Sequence, residues 1–191
     1  MDRAEIRQVT DSRVLAALAH PLRRRLMDAL KVDGPSTVSA LAARTGQAVA
    51  NISHHLKVLA ASELVEEAPE LARDRRERWW RPVSAGVRWS QADFADDPAA
   101  MAVFNASLSL NLDRHASLVR AWWAATETGA GGWTEGPFSA DKWLHLTPAE
   151  LTQLSGELIG VLDRWANREV PDDGEHREPV FVFAHGVPAQ P

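Results

Sequence analysis

Apolar residues recur at spacings of three and four through the first sixty positions, and the runs break at recognisable helix ends. Val14, Leu15 and Leu18 share one face of a helix predicted from Asp11 or Ser12 to Ala19. Pro21 fits the first turn of a second helix, where its missing N–H is not needed. Leu22, Leu26, Met27 and Leu30 form that helix's buried stripe, and Asp33-Gly34-Pro35 ends it. Ser36 or Thr37 caps a short third helix with Val38, Leu41 and Ala42 inward, and Gly46 supplies a left-handed turn residue. A fourth helix is predicted over Ala48 to Ser62. Its Ile52, Leu56 and Leu59 face the core, while Asn51, Ser53, His54, His55 and Lys57 lie mostly off that stripe. The period then shortens to two. Leu64-Val65 starts a strand, Arg78 to Pro82 returns, and Glu70 to Arg76 forms the tip between them. Alternation sends one of Trp79 and Trp80 into the core.

The rear of the chain reads differently. After Pro98 a long helix is predicted from Ala99 to Thr126. Met101, Phe104, Leu108, Leu112, His115, Val119 and Trp122 step along it by three and four, as a seam does. Thr147-Pro148-Ala149-Glu150 is a capping box with proline at the first helical position. Behind it Leu151, Leu154, Leu158, Val161, Leu162 and Trp165 fall on one face. Lys142 to Leu146 and Val180 to Phe183 read as short strands, paired with each other. The fold class is therefore mainly α with a small β-hairpin. Residues 10–90 have the order of a winged helix-turn-helix, whose second helix can enter a DNA major groove; residues 97–191 form a helical dimerisation region.

Composition narrows the picture. The chain has 191 residues, enough for one or two small domains with a real core. It has no cysteine, which removes disulfides, thiolate metal sites and thiol nucleophiles and fits a reducing cytoplasm. The N-terminus is charged from its second residue, unlike a signal peptide, and no apolar run approaches a membrane span. The net charge of −5 conceals an asymmetry. Residues 1–90 carry 15 basic and 11 acidic side chains, and residues 91–191 carry 6 and 15. A basic front and an acidic rear suit a protein that presents one end to a polyanion. A phosphate loop, a Gly-x-Ser-x-Gly elbow and a His-Glu-x-x-His motif are all missing, so no enzyme is expected.

Taken in order, AHPLRRRLMDAL, LAARTG and NISHHLKVLAASELVEE resemble the ArsR/SmtB superfamily of bacterial winged-helix regulators over Asp11 to Val83. The resemblance implies a homodimeric repressor on a pseudo-palindromic operator in double-stranded DNA. It also implies that the DNA-reading positions are Gln47, Ala48, Val49, Asn51, Ser53, His54 and His55, with Arg73, Arg75 and Arg76 on the wing. The residue chemistry agrees: Asn51 can pair with an adenine edge, Ser53 with several bases, and Lys57 and the wing arginines with phosphates or the minor groove. Three positions depart from the pattern. Ala48 stands where the family places a capping serine, Thr45 replaces an apolar anchor, and Ser62-Glu63 replaces Ala-Gly at the end of the fourth helix.

The family's metal-sensing cysteine motif is absent. Asp113-Arg114-His115 matches half of another metal motif, but Ala125, Thr126 and Gly129 stand at the second half, and His54 and His55 point about 100° apart on a helix. No metal and no cofactor are expected. Trp122, Trp123, Trp133, Trp143 and Trp165 crowd the acidic half and are the candidate pocket for a small organic effector, set against a plain aromatic core. An effector-gated sensor and a protein-interaction module are the alternative functions.

Overall fold

The computed structural model describes residues 6–74, 77–127, 133 and 135–190. The chain divides by packing into two units, Met1–Ala116 and Ser117–Pro191.

In the first unit, strand β1 (Ile6–Gln8) precedes helices α1 (Ser12–Leu18) and α2 (Pro21–Asp33). Asp11 caps α1, its carboxylate accepting from the Arg13 N–H at 2.9 Å. Strand β2 (Ser36–Thr37) runs directly into α3 (Val38–Thr45), which Thr37 caps by accepting from Ala40 N–H. Gly46 adopts φ 67°, the left-handed turn expected of it, and α4 (Val49–Ala61) follows. Strands β3 (Val65–Glu67) and β4 (Trp79–Pro82) form the hairpin, and β2 joins on the other side of β4, giving the antiparallel order β2-β4-β3. Strand β5 (Gly86–Arg88) pairs in parallel with β1, Arg7 opposite Val87. A 3-10 turn at Gln91–Phe94 leads to α5 (Pro98–Glu127).

The core matches the expected stripes. Leu15, Leu26, Leu30, Leu41, Ile52, Leu56 and Leu59 are fully buried, and Trp80 is the tryptophan of the hairpin that turns inward. Phe94 and Phe104 meet with ring centroids 5.8 Å apart, pinning the first turns of α5 to this core. The sequence pattern does not predict strands β1, β2 and β5; each is two or three residues long and pairs across a long stretch of chain.

The seam on α5 needs correction. The inner face is Ala100, Phe104 and Ser107, continued by Asn111 accepting from Arg24 and by Arg114 paired with Asp28. Leu108 and Leu112 stand 43% and 49% exposed. A single apolar seam merges two faces: Phe104 belongs to the one packed on the core, Leu108 and Leu112 to another, whose mean direction is about 100° round the helix from the inner face.

The second unit contains the last turns of α5 and helix α6 (Pro148–Ala166). The predicted capping box is present in both directions, Glu150 N–H to Thr147 Oγ1 and Thr147 N–H to Glu150 Oε2. Lys142 to Leu146 and Val180 to Phe183 form no strands, contrary to the expected pairing. Their alternation satisfied a local pattern, but a strand exists only where a neighbouring edge supplies the hydrogen bonds. No helix among the described residues is long and apolar enough to cross a membrane.

Candidate nucleic-acid interface

The candidate interface is built on α3, the Gly46 turn and α4. Ile52, Leu56 and Leu59 are wholly buried, which fixes the rotation of α4 about its own axis. The opposite side therefore faces outward: Gln47, Ala48, Val49, His54 and Lys57 are exposed, and Asn51 and Ser53 are half-buried. Val49 is 51% exposed at the first turn, an apolar side chain among polar neighbours. Asn51 Nδ2 donates to Gln47 Oε1 at 3.1 Å, holding both amides at the entrance of the helix. Ala48 has the extended backbone of an N-cap, φ −67° and ψ 141°, but makes no side-chain capping bond.

His55 does not join that face. Only 8% of it is exposed, and its ring lies 4.5 Å from that of His20, with His54 edge-on at 5.3 Å. Its position, four residues before Leu59 and three after Ile52, places it on the core side of α4. Burial, together with His20, Arg23 and His54, holds the His55 imidazole below its usual protonation range. His20 is lowered for the same leading reason, burial, with Arg23 and His54 adding to it.

The arginine run Arg23-Arg24-Arg25 faces inward in its bonding as well. Arg23 donates to the carbonyls of Ala16 and Ala17 at the end of α1. Arg24 donates to Asn111, and Arg25 to the carbonyl of Thr45 at the end of α3, 3.3 Å away. These guanidiniums satisfy helix C-termini and dock α5, as the helix dipole favours. The basic helix is thus largely a structural clamp.

The wing is a hairpin of opposed charges. Arg81 pairs with Glu66 and Glu70, Arg78 with Glu67 at 3.1 Å, and Glu77 accepts the Arg73 backbone N–H at 2.9 Å. The Arg73 side chain is exposed. Arg75 and Arg76 lie outside the described residues.

Two departures from the family pattern have compensations. Thr45 is buried, with its hydroxyl donating to the Leu41 carbonyl at 2.7 Å, so the missing apolar anchor leaves no unsatisfied group. Glu63 takes φ 52°, where glycine is usual. Arg7 on β1 braces it from outside, donating to the Glu63 carbonyl at 2.7 Å and pairing with its carboxylate at 2.8 Å. Nothing in the local sequence near Glu63 points to Arg7.

The tryptophans of the acidic half are separate in their surroundings. Trp122 and Trp123 meet edge to face at 4.8 Å, Trp133 donates to Glu178 at 3.2 Å, and Trp143 and Trp165 are exposed.

Comparison with known proteins bears on the first unit. A family described as a helix-turn-helix domain matches residues 18–68. No curated protein matches the chain. Among solved structures, the chain is 30% identical to residues 1–100 of a possible transcriptional regulatory protein from Mycobacterium bovis, covering 38% of this chain and 72% of that one, with a TM-score of 0.33. At the same identity and TM-score it covers 62% of the homodimeric winged helix-turn-helix DNA-binding domain of a possible ArsR-family regulator from Mycobacterium bovis, again 38% of this chain. A mutant of the Lactococcus lactis protein ZitR in apo form is 14% identical, over 78% of this chain and 86% of that one, with a TM-score of 0.35.

Proposed function

This chain belongs to the ArsR-type winged helix-turn-helix transcriptional regulators, and from that premise we propose that it represses transcription as a homodimer on a pseudo-palindromic operator. Residues 10–90 read the DNA and residues 97–191 hold the two copies together. The observation that carries the reading is the outward face of α4: Gln47, Val49, Asn51, Ser53, His54 and Lys57 stand over a stripe that is fully buried. Two such helices enter successive major grooves, with half-sites about 34 Å apart. Asn51 and Ser53 supply the hydrogen bonds to base edges, and Val49 offers methyl groups to thymine. Lys57 and Arg73 bind phosphates, joined by Arg75 and Arg76 of the wing. Ala48 approaches the backbone without a side-chain contact of its own. His55 contributes by holding α4 in place. Support for two copies comes from the homodimeric Mycobacterium domain and from Leu108 and Leu112, exposed on α5.

Selection from a random duplex pool with the purified chain tests this. A palindromic consensus is the expected outcome, with Asn51→Ala and Ser53→Ala each losing about 1–3 kcal/mol of discrimination at their bases. Recovery of no preferred sequence would instead make the fold a protein-interaction module.

A further inference from the structure

Arg7 grips the far end of α4 with three hydrogen bonds. Its guanidinium donates to the carbonyls of Ser62 at 3.3 Å and Glu63 at 2.7 Å, and to the Glu63 carboxylate at 2.8 Å. The chain leaves α4 there without glycine. Glu63, at φ 52°, is the one non-glycine residue with a positive φ among those described, and a side chain is strained in that conformation. The Glu63 carboxylate is largely exposed, and an exposed ion pair adds little to global stability. Three bonds from one planar fork supply something else: a fixed place for the last turn of α4.

The strand that carries Arg7 gives this contact its reach. Strand β1 pairs in parallel with β5, and Val9, buried just beyond it, donates its N–H to the Arg88 carbonyl at 2.7 Å. Strand β5 itself follows the returning strand of the wing. Gln8, which the pleat directs to the opposite face from Arg7, donates to the Asp93 carboxylate at 2.8 Å. Asp93 also accepts the Ser90 N–H at 2.7 Å, in the capping box of the turn that leads into α5. One short strand thus ties together the end of α4, the base of the wing and the approach to α5.

The buried stripe Ile52-Leu56-Leu59 fixes the rotation of α4 about its axis, whereas its tilt is set where its ends are held. The helix has 13 residues and is about 20 Å long. A shift of about 1 Å at Glu63, pivoting on the stripe, moves the Val49 end by a similar amount, enough to break a hydrogen bond to a base edge.

We propose that Arg7 is a positioning residue for DNA reading: acting through β1, it sets the tilt of α4 against the wing and α5, and so the half-site spacing that the dimer accepts. The proposal rests on the operator reading above and adds to it a residue outside the helix-turn-helix.

Fluorescence anisotropy on the full chain tests it, with the selected operator and a version lengthened by one base pair between the half-sites. The wild type is expected to prefer the selected spacing. Arg7→Met should reduce that preference about tenfold, the scale of a lost base contact. Adding Glu63→Gly to Arg7→Met separates positioning from capping. Glycine takes the left-handed conformation freely, so the double variant should melt at the wild-type temperature. It should not regain the spacing preference, because the tie to β1 is still missing. Recovery of both would make Arg7 a cap for α4 and overturn the proposal. Should Arg7→Met lose helix content by circular dichroism, Arg7→Lys, which keeps the charge but not the fork, takes its place with the same expectation. A wild type that selects no operator overturns the operator reading and the proposal together. A wild type that selects one, with a spacing preference unchanged in the Arg7 variants, overturns the proposal alone.

Discussion

His20 caps α2 through its ring, Nδ1 accepting the Leu22 N–H at 3.2 Å, and an imidazole can do this only while that nitrogen is unprotonated. Its neighbour His55 is buried, with Nδ1 lacking a hydrogen-bond partner among the described residues. Both titrate below the ordinary histidine value of 6.5 in the folded chain, chiefly through burial. The unfolded chain therefore takes up protons first on acidification. Stability from this pair is complete above pH 6.5 and is lost as pH falls from there through the lowered folded values. Thermal melts between pH 7.5 and about 5 should show the loss, and His20→Asn, which keeps a capping oxygen without the titration, should make it shallower. An unchanged pH profile in that variant would remove His20 from the account. Ala48 is the complementary case. Its backbone already has N-cap geometry and only the oxygen is missing, so Ala48→Ser should add about 1 kcal/mol of stability in urea melts.

At the scale of elements, what the sequence revealed was local. The stripe Ile52-Leu56-Leu59 set the face of α4, Pro21 and the Thr147–Glu150 box set two helix starts, and the change of period at Leu64 set the hairpin. What it concealed was non-local. Strand β1 exists because Val87 lies beside Arg7, and Arg7 in turn braces Glu63, fifty-six residues away. His55 was legible as a helix residue but not as a buried one, because the ring that covers it, His20, comes from another helix. The arginines of α2 show the same limit: their charge reads as a DNA patch until the carbonyls they cap are in view. The cations left for DNA on this reading are Lys57 and the wing arginines. Lys57→Ala and Arg73→Ala should each reduce the slope of log affinity against log salt by about 1, with little change in sequence preference. A slope equal to the wild type would place that residue outside the interface.

For the whole molecule, the charge is divided along the chain, 15 basic to 11 acidic over residues 1–90 and 6 to 15 over residues 91–191. The two ends then respond oppositely to salt. DNA binding by the front releases counterions and weakens as salt rises. The proposed association of two rears would bring like charges together around an apolar contact, so that added salt would screen the repulsion, over a Debye length of about 10 Å at 0.1 M, and leave the apolar term intact. The dimer should tighten between 50 and 300 mM salt while operator affinity falls, a divergence read by sedimentation and fluorescence anisotropy on the same preparation. Leu108→Asp with Leu112→Asp adds two negative charges to each copy at a face that is exposed in one chain, so it should yield folded monomers. These should retain weak half-site binding with about half the salt slope of the dimer, because each carries one set of phosphate contacts. Dimers that loosen with salt, in step with the loss of operator affinity, would mean that ion pairs rather than the apolar faces of α5 and α6 hold the copies together.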